Sequence, residues 1–267
     1  MAVEVVPGVW WLERTRGCNV YLARAADGTF VIVDAGFRSC ADAIVEQARR
    51  IAGDAPVTHL LLTHDHFDHV SAAGAVSRAL GASVALGRGD CEATSEGGWQ
   101  VEHRPMRTGR LQGIAQRLLP PLAAEEPIPV HIPIDRRCEI APGIEAIPTP
   151  GHTPGSTCFV MRHAGDGGVA FVGDLVISHR DGLARSLAAA NRDDAAYLEM
   201  LRAFAAEAPE VGLAGHGYPV RHRFGQALRE LAELPREPLN ARNAWRRFRR
   251  IARFNMFLWM QDQPRRR

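Results

Sequence analysis

The sequence predicts an α/β protein in which two packed β-sheets carry helices on their outer faces. Two observations lead there: short β-rich runs fill both halves of the chain, and helical stretches stand between those runs. A third bounds the size. With 267 residues and no repeat of solenoid length, the chain suits one large domain, or one domain with an extension.

In the first half, Val9-Trp10-Trp11-Leu12, Asn19-Val20-Tyr21-Leu22 and Thr29-Phe30-Val31-Ile32-Val33 read as strands, with a hairpin through Asp27-Gly28. The apolar spacing predicts a helix over Ala41–Ala52 that stops at Gly53. Residues 58–63 read as a buried strand that runs straight into His64. A helix is expected over 68–80, ended by Gly81, and then a strand, Ser83-Val84-Ala85-Leu86. Residues 90–135 are irregular and rich in Arg and Pro, with a helical stretch at 109–119. A long segment of this kind reads as an insertion that covers or flanks a site. Strands return at residues 144–147, 157–160 and 169–172. A helix over Asp194–Glu207 and a short strand, Val211–Ala214, complete the pattern.

Composition narrows the function classes. The chain is 46% hydrophobic and 23% charged, enough apolar material for a full core. A net charge of +2 gives no electrostatic reason to expect a nucleic-acid partner. Cys18, Cys40, Cys91, Cys138 and Cys158 are scattered without framework spacing, so they read as reduced thiols. The N-terminus shows no signal-peptide pattern and no apolar run is long enough to span a membrane. The expectation is a soluble cytoplasmic protein with a small-molecule substrate.

The chemistry-bearing run is Thr63-His64-Asp65-His66-Phe67-Asp68-His69. Three histidines fall within six residues, with two aspartates between them, directly after an apolar strand. Neutral imidazoles and carboxylates are ligands that suit zinc or iron. His64 and His66, two apart in an extended segment, can point the same way. Asp68 and His69 open the expected helix, where the dipole also favours an acid. Alone, Asp68 could serve as a cap and the histidines as surface residues, but three imidazoles behind a buried strand weigh against that.

Here the chain resembles the metallo-β-lactamase superfamily, whose H-x-H-x-D-H signature stands as His64 to His69. Four more motifs stand in the family's order: Ile32-Val33-Asp34-Ala35-Gly36, Gly151-His152-Thr153-Pro154-Gly155-Ser156, Val172-Gly173-Asp174 and Ala214-Gly215-His216-Gly217. The resemblance covers roughly residues 5–220. It implies an αββα four-layer sandwich, two mixed β-sheets flanked by helices, with metals at one edge. It also implies two divalent metal ions, zinc first, with iron or manganese as alternatives. The first would take His64, His66 and His152, the second Asp68, His69 and His216, with Asp174 bridging. A hydroxide shared by two cations is a nucleophile at neutral pH. Asp34 is implied as a supporting carboxylate; on residues alone it also fits a turn before Gly36. Asp68, Asp34 and His179 are the candidate catalytic residues. His179 enters because it follows Asp174 by a short loop. His59, His103, His131, His163 and His222 match no ligand motif, and Cys158 reads as a buried small hydrophobe.

The bridging Asp174 sets the chain apart from lactamases that carry Cys there, and the Gly151–Ser156 loop resembles the glyoxalase II-like and lactonase-like branch. The implied activity is hydrolysis of an ester, thioester or lactone. Alternatives are a mononuclear iron dioxygenase of the persulfide type, or β-lactamase or phosphodiesterase activity. Two departures leave the substrate open: residues 175–196 hold no Tyr, and the tail does not match a glutathione-binding domain. The expected organisation is a catalytic domain at 1–220 and a basic, aromatic-rich helical extension at 221–267. That extension reads first as a helix docked on its own domain or on a second copy, making a homodimer. A pocket wall, or a surface for anionic membrane or nucleic acid, are the other readings.

Overall fold

The computed structural model describes residues 2–102, 127–188 and 190–235; the expected helix at 109–119, His103 and the tail from residue 236 lie outside the described residues. Strands β1 (Val3–Val6), β2 (Val9–Leu12), β3 (Val20–Arg24) and β4 (Phe30–Val33) form an antiparallel meander. Helix α1 (Ala41–Ala52) crosses to β5 (Val57–Leu62), which lies parallel to β4. Helices α2 (Phe67–Val70) and α3 (Ala73–Leu80) lead to β6 (Ser83–Gly87), parallel to β5. Three short strands, β7 (Cys91–Ala93), β8 (Trp99–Val101) and β9 (Pro129–Val130), make a small side sheet. Strand β10 (Ile132–Ile134) then closes the first, seven-stranded sheet beside β6.

The second sheet begins with β11 (Cys138–Ala141), β12 (Ile144–Pro148), β13 (Thr157–Met161) and β14 (Val169–Gly173), all antiparallel. A hairpin of β15 (Val176–His179) and β16 (Gly182–Arg185) and helix α4 (Asp194–Glu207) follow. Strand β17 (Val211–Ala214) then pairs parallel with β14, and helix α5 (Phe224–Glu233) completes the described chain.

Strand alternation sorts the core into three layers. Phe30 and Ile32 of β4, with Leu60 and Leu62 of β5, face α1 and α3, where Ile44, Ala48, Ala73 and Val76 meet them. Their neighbours Val31, Val33 and Leu61 turn the other way and pack against Phe159, Met161 and Phe171 of the second sheet. Cys158, Val160, Ala170 and Val172 then face Tyr197, Leu201 and Phe204 of α4 and Phe224 and Leu228 of α5. The result is the expected helix–sheet–sheet–helix sandwich. Truncating a middle-layer ring such as Phe171, 1% exposed, to Ala should cost about 3–5 kcal/mol. Helix α5, the first part of the expected extension, thus packs on the sandwich through its apolar stripe.

Local signals explain the helix ends. The Asp193 side chain caps α4 by accepting from the N–H groups of Ala195 and Ala196, both at 3.0 Å. Helix α1 ends at Gly53, whose φ of +59° favours glycine. The expected single helix at 68–80 is instead two, α2 and α3. The carbonyl of His69, which would accept from Ala73 in a continuous helix, accepts from Ala35 N–H at 2.8 Å, and Ala72 N–H turns to Gly36. The chain there gives up helical bonds to tie the ligand-bearing turn to the end of β4. The β15–β16 hairpin and the strands at 91–134 were not expected either, being too short to show a period.

Candidate metal centre

Each candidate ligand stands just beyond a strand of the two sheets, at one edge of the sandwich. Strand β5 delivers His64 and His66, and α2 carries Asp68 and His69. His152 lies on the turn between β12 and β13, Asp174 follows β14, and His216 follows β17. Two nests result. His64, His66, His152 and Asp174 bring one donor atom each within 4.8 Å of one another, and so do Asp68, His69 and His216. Nδ1 of His66 lies 3.1 Å from Nε2 of His152, and Nε2 of His69 lies 3.4 Å from Nε2 of His216. Asp174 spans the gap between them. Its Oδ2 is 3.5 Å from His152 Nε2, while its Oδ1 is 3.4 Å from Nε2 of both His69 and His216. Oδ2 of Asp68 approaches His216 Nε2 at 3.3 Å.

This donor set fits cations. Nε2 of His64 and Oδ1 of Asp174 are buried without a hydrogen-bond partner. Leaving a buried polar atom unsatisfied costs about 1–3 kcal/mol; a cation in the first nest would satisfy His64 Nε2, and one in the second would satisfy Asp174 Oδ1. Burial, then the neighbouring His69 and His66, holds His64 well below the ordinary imidazole value. Burial and His152 push His66 down to about 3. His64 and His66 therefore present neutral imidazoles, the form that ligates metal. In the second nest burial acts the same way but is outweighed. Asp174 and Asp68 raise His216 to about 9, and Asp34 and Asp174 help to hold His69 well above its usual value. Burial would lift Asp174, yet His216 and His69 bring it well below the carboxylate range. Burial pushes the nearby Cys18 thiol up to about 12, so it stays neutral.

The ring orientations are set from behind. Asp34 is buried at φ +60°, a backbone conformation costly for a residue with a side chain. Its Oδ2 accepts from His69 Nδ1 at 2.9 Å, which leaves Nε2 as the donor toward the nest. Its Oδ1 accepts from Thr63 N–H at 2.8 Å, and the Thr63 hydroxyl lies 3.0 Å from His64 Nδ1. One carboxylate thus supports a ligand in each nest. His152 Nδ1 donates to Asn191 Oδ1 at 2.9 Å, with the Ser186 hydroxyl at 3.1 Å. Asp90, fully buried, joins the two ligand loops: it accepts from Asp65 N–H at 3.2 Å, Gly155 N–H at 2.8 Å and the Thr153 hydroxyl at 2.5 Å. At Gly215 only a glycine fits, because a Cβ would lie 2.5 Å from His69 Cε1.

All seven residues expected as ligands meet here, and Asp34 stands directly behind them. His179 does not join them; it ends β15 with an exposed side chain, outside both nests. Thr63, Asp90, Ser186 and Asn191 were not singled out from sequence. Asp90 and Asn191 act on partners 63 and 39 residues away, a distance no local motif reports. Thr63 alone carried a signal, as the last residue before His64.

A four-layer α/β sandwich with paired His/Asp nests at its edge defines a metal-binding hydrolase-type protein. The chain belongs to the metallo-beta-lactamase superfamily, whose family model matches residues 14–216. It is 27% identical over 239 residues to the probable metallo-hydrolase YflN of Bacillus subtilis strain 168, covering 80% of this chain and 86% of that protein. Among solved structures it is similar to a metallo-beta-lactamase family protein from Thermus thermophilus, with a TM-score of 0.57, 25% identity and coverage of 86% and 78%. MEM-A1, a subclass B3 metallo-beta-lactamase from a soil metagenome library, shares the fold, with a TM-score of 0.56, 19% identity and coverage of 87% and 91%. No helix among the described residues is long and apolar enough to cross a membrane.

Proposed function

We propose that this chain is a dinuclear metallohydrolase that cleaves an ester, thioester or lactone bond in a small molecule. The observation that carries the reading is Asp174, whose two carboxylate oxygens face different nests. His64, His66 and His152 would hold one ion, Asp68, His69 and His216 the other, with Asp174 between the two groups. Divalent ions at these positions, zinc first and iron or manganese as alternatives, supply Lewis acidity and acidify water for attack at neutral pH. The chain's own side chains do the rest. Asp34 and Asn191 fix which ring nitrogen of His69 and His152 faces inward. Asp68 is an ionised carboxylate: burial opposes its charge, but His216 and His69 hold it below the usual range. Its role in this reading would be to take the proton released as water attacks the carbonyl carbon and to pass it to the departing alkoxide or thiolate. The metallo-hydrolase name of the Bacillus subtilis relative supports hydrolysis over other chemistry on the fold.

The test is metal analysis joined to a substrate panel. Zinc-loaded protein should carry two ions per chain and cleave at least one of a set of p-nitrophenyl esters, thioesters and lactones. One iron per chain with persulfide-dependent oxygen uptake, and no hydrolysis, overturns the reading in favour of the dioxygenase.

A further inference from the structure

The loop that carries His216 is pinned on both flanks. Asn19 donates its side-chain amide to the carbonyls of Ala214 and Gly217, each at 3.0 Å, and its backbone N–H to Gly215 O at 2.7 Å. From the other side, Ser178 N–H donates to His216 O at 3.1 Å and the Ser178 hydroxyl to Tyr218 O. The approach is so close that a Cβ on Gly217, at φ +98°, would lie 1.7 Å from Ser178 O. Strand β15 at Ser178 and the segment after His216 are therefore tied together, directly after the last ligand of the second nest.

Two side chains close to this tie, Tyr218 and Arg180, are exposed. Tyr218 is 47% exposed, although most large apolar side chains of the described residues are covered. Arg180 is exposed and has no carboxylate partner among the described residues; its guanidinium lies 5.5 Å from the Tyr218 ring centroid. His179, also exposed, is its neighbour, and the adjacent Asp181 makes no ion pair with it. A buried core does not need this pair, and a solvated surface does not need its backbone held so firmly. A cation over the face of a tyrosine that stands two residues after His216 on a firmly held loop is suited to receive a ligand. The guanidinium fork matches a carboxylate or phosphate, and the ring offers a planar apolar surface at small entropic cost.

We infer that Arg180 and Tyr218 form a substrate subsite beside the loop that carries His216, which selects substrates bearing an anionic group next to an apolar or planar portion. The inference rests on the hydrolase reading for the bond that is cut, but the binding it describes does not. Carboxylate and phosphate share the required chemistry, and the probes below separate them.

The experiment compares wild type with Arg180→Ala, Arg180→Lys and Tyr218→Leu, all zinc-loaded. The first readout is the ratio of kcat/KM for mono-4-nitrophenyl succinate to that for 4-nitrophenyl butyrate. Arg180→Ala should lower this ratio about tenfold, the equivalent of one charge-assisted contact at a half-exposed site, with the change in KM. Arg180→Lys should restore part of it. The second readout is calorimetric binding of 4-nitrobenzoate and of phenyl phosphate, which needs no turnover. Arg180→Ala should weaken the preferred anion about tenfold, and Tyr218→Leu should weaken it as well. If no ester is cleaved yet Arg180→Ala still weakens anion binding, the subsite stands and the hydrolase reading falls. If the ratio and the affinities for both anions match wild type in Arg180→Ala, the subsite is refuted.

Discussion

Asp90 should be a strut on which the first metal position depends, and its removal has a size that the structure sets. The carboxylate is fully buried and bonds to both loops that carry ligands of the first nest. Asp90→Ala strands the N–H groups of Asp65 and Gly155. The Thr153 hydroxyl retains the Ser156 hydroxyl at 2.8 Å, so it loses less. Two stranded buried donors at about 1–3 kcal/mol each give a loss of roughly 2–6 kcal/mol. Urea unfolding in the presence of a chelator should report that loss. The consequence for metal is separate. Asp65 lies between His64 and His66, and Gly155 lies three residues after His152, so the loops drift apart without the strut. Zinc affinity at the first position should fall about 10–100-fold, as for other supporting groups, and more than at the second. The assay is competition against a chromophoric chelator, with Asp90→Asn as the milder variant. A loss of stability below about 1 kcal/mol together with unchanged zinc affinity would refute the reasoning.

Asp174→Asn should lower occupancy at the second position more than at the first, because an amide offsets less of the repulsion between two cations; elemental analysis of the purified variant checks it. Asp34→Ala should weaken zinc binding by about 10–100-fold, since His69 then loses the acceptor that fixes its ring, and chelator competition reports the change. Gly215→Ala should abolish metal loading, as the added methyl would fall 2.5 Å from His69 Cε1 and 2.9 Å from Asp174 Oδ1; metal content after zinc dialysis decides it. Removing residues 236–267 should dissociate an oligomer or reduce solubility while metal content survives, and light scattering with metal analysis tests both arms.

The readability of this chain differs by scale. Alternation made the layers visible: Phe30, Ile32, Leu60 and Leu62 fall on one face of their strands and Val31, Val33 and Leu61 on the other. The ligand residues were visible because they cluster at strand ends in short local runs. What stayed hidden depends on contacts between distant segments. The break between α2 and α3 follows from one carbonyl bonding to Ala35 instead of to Ala73. Nothing in Gly87-Arg88-Gly89-Asp90 announces a buried strut, because its meaning lies in a turn 63 residues later. Nearness in sequence to Asp174 singles out His179, but it ends β15 with an exposed side chain and joins neither nest.

The central claim is that two cations sit in the paired nests with Asp174 between them. Anomalous diffraction at the zinc edge, from crystals grown with zinc, tests it most directly. Two peaks are expected, one among His64, His66 and His152 and one among Asp68, His69 and His216, with Asp174 between them. A single peak in the first nest, with Asp174 making no contact toward the second, would contradict it.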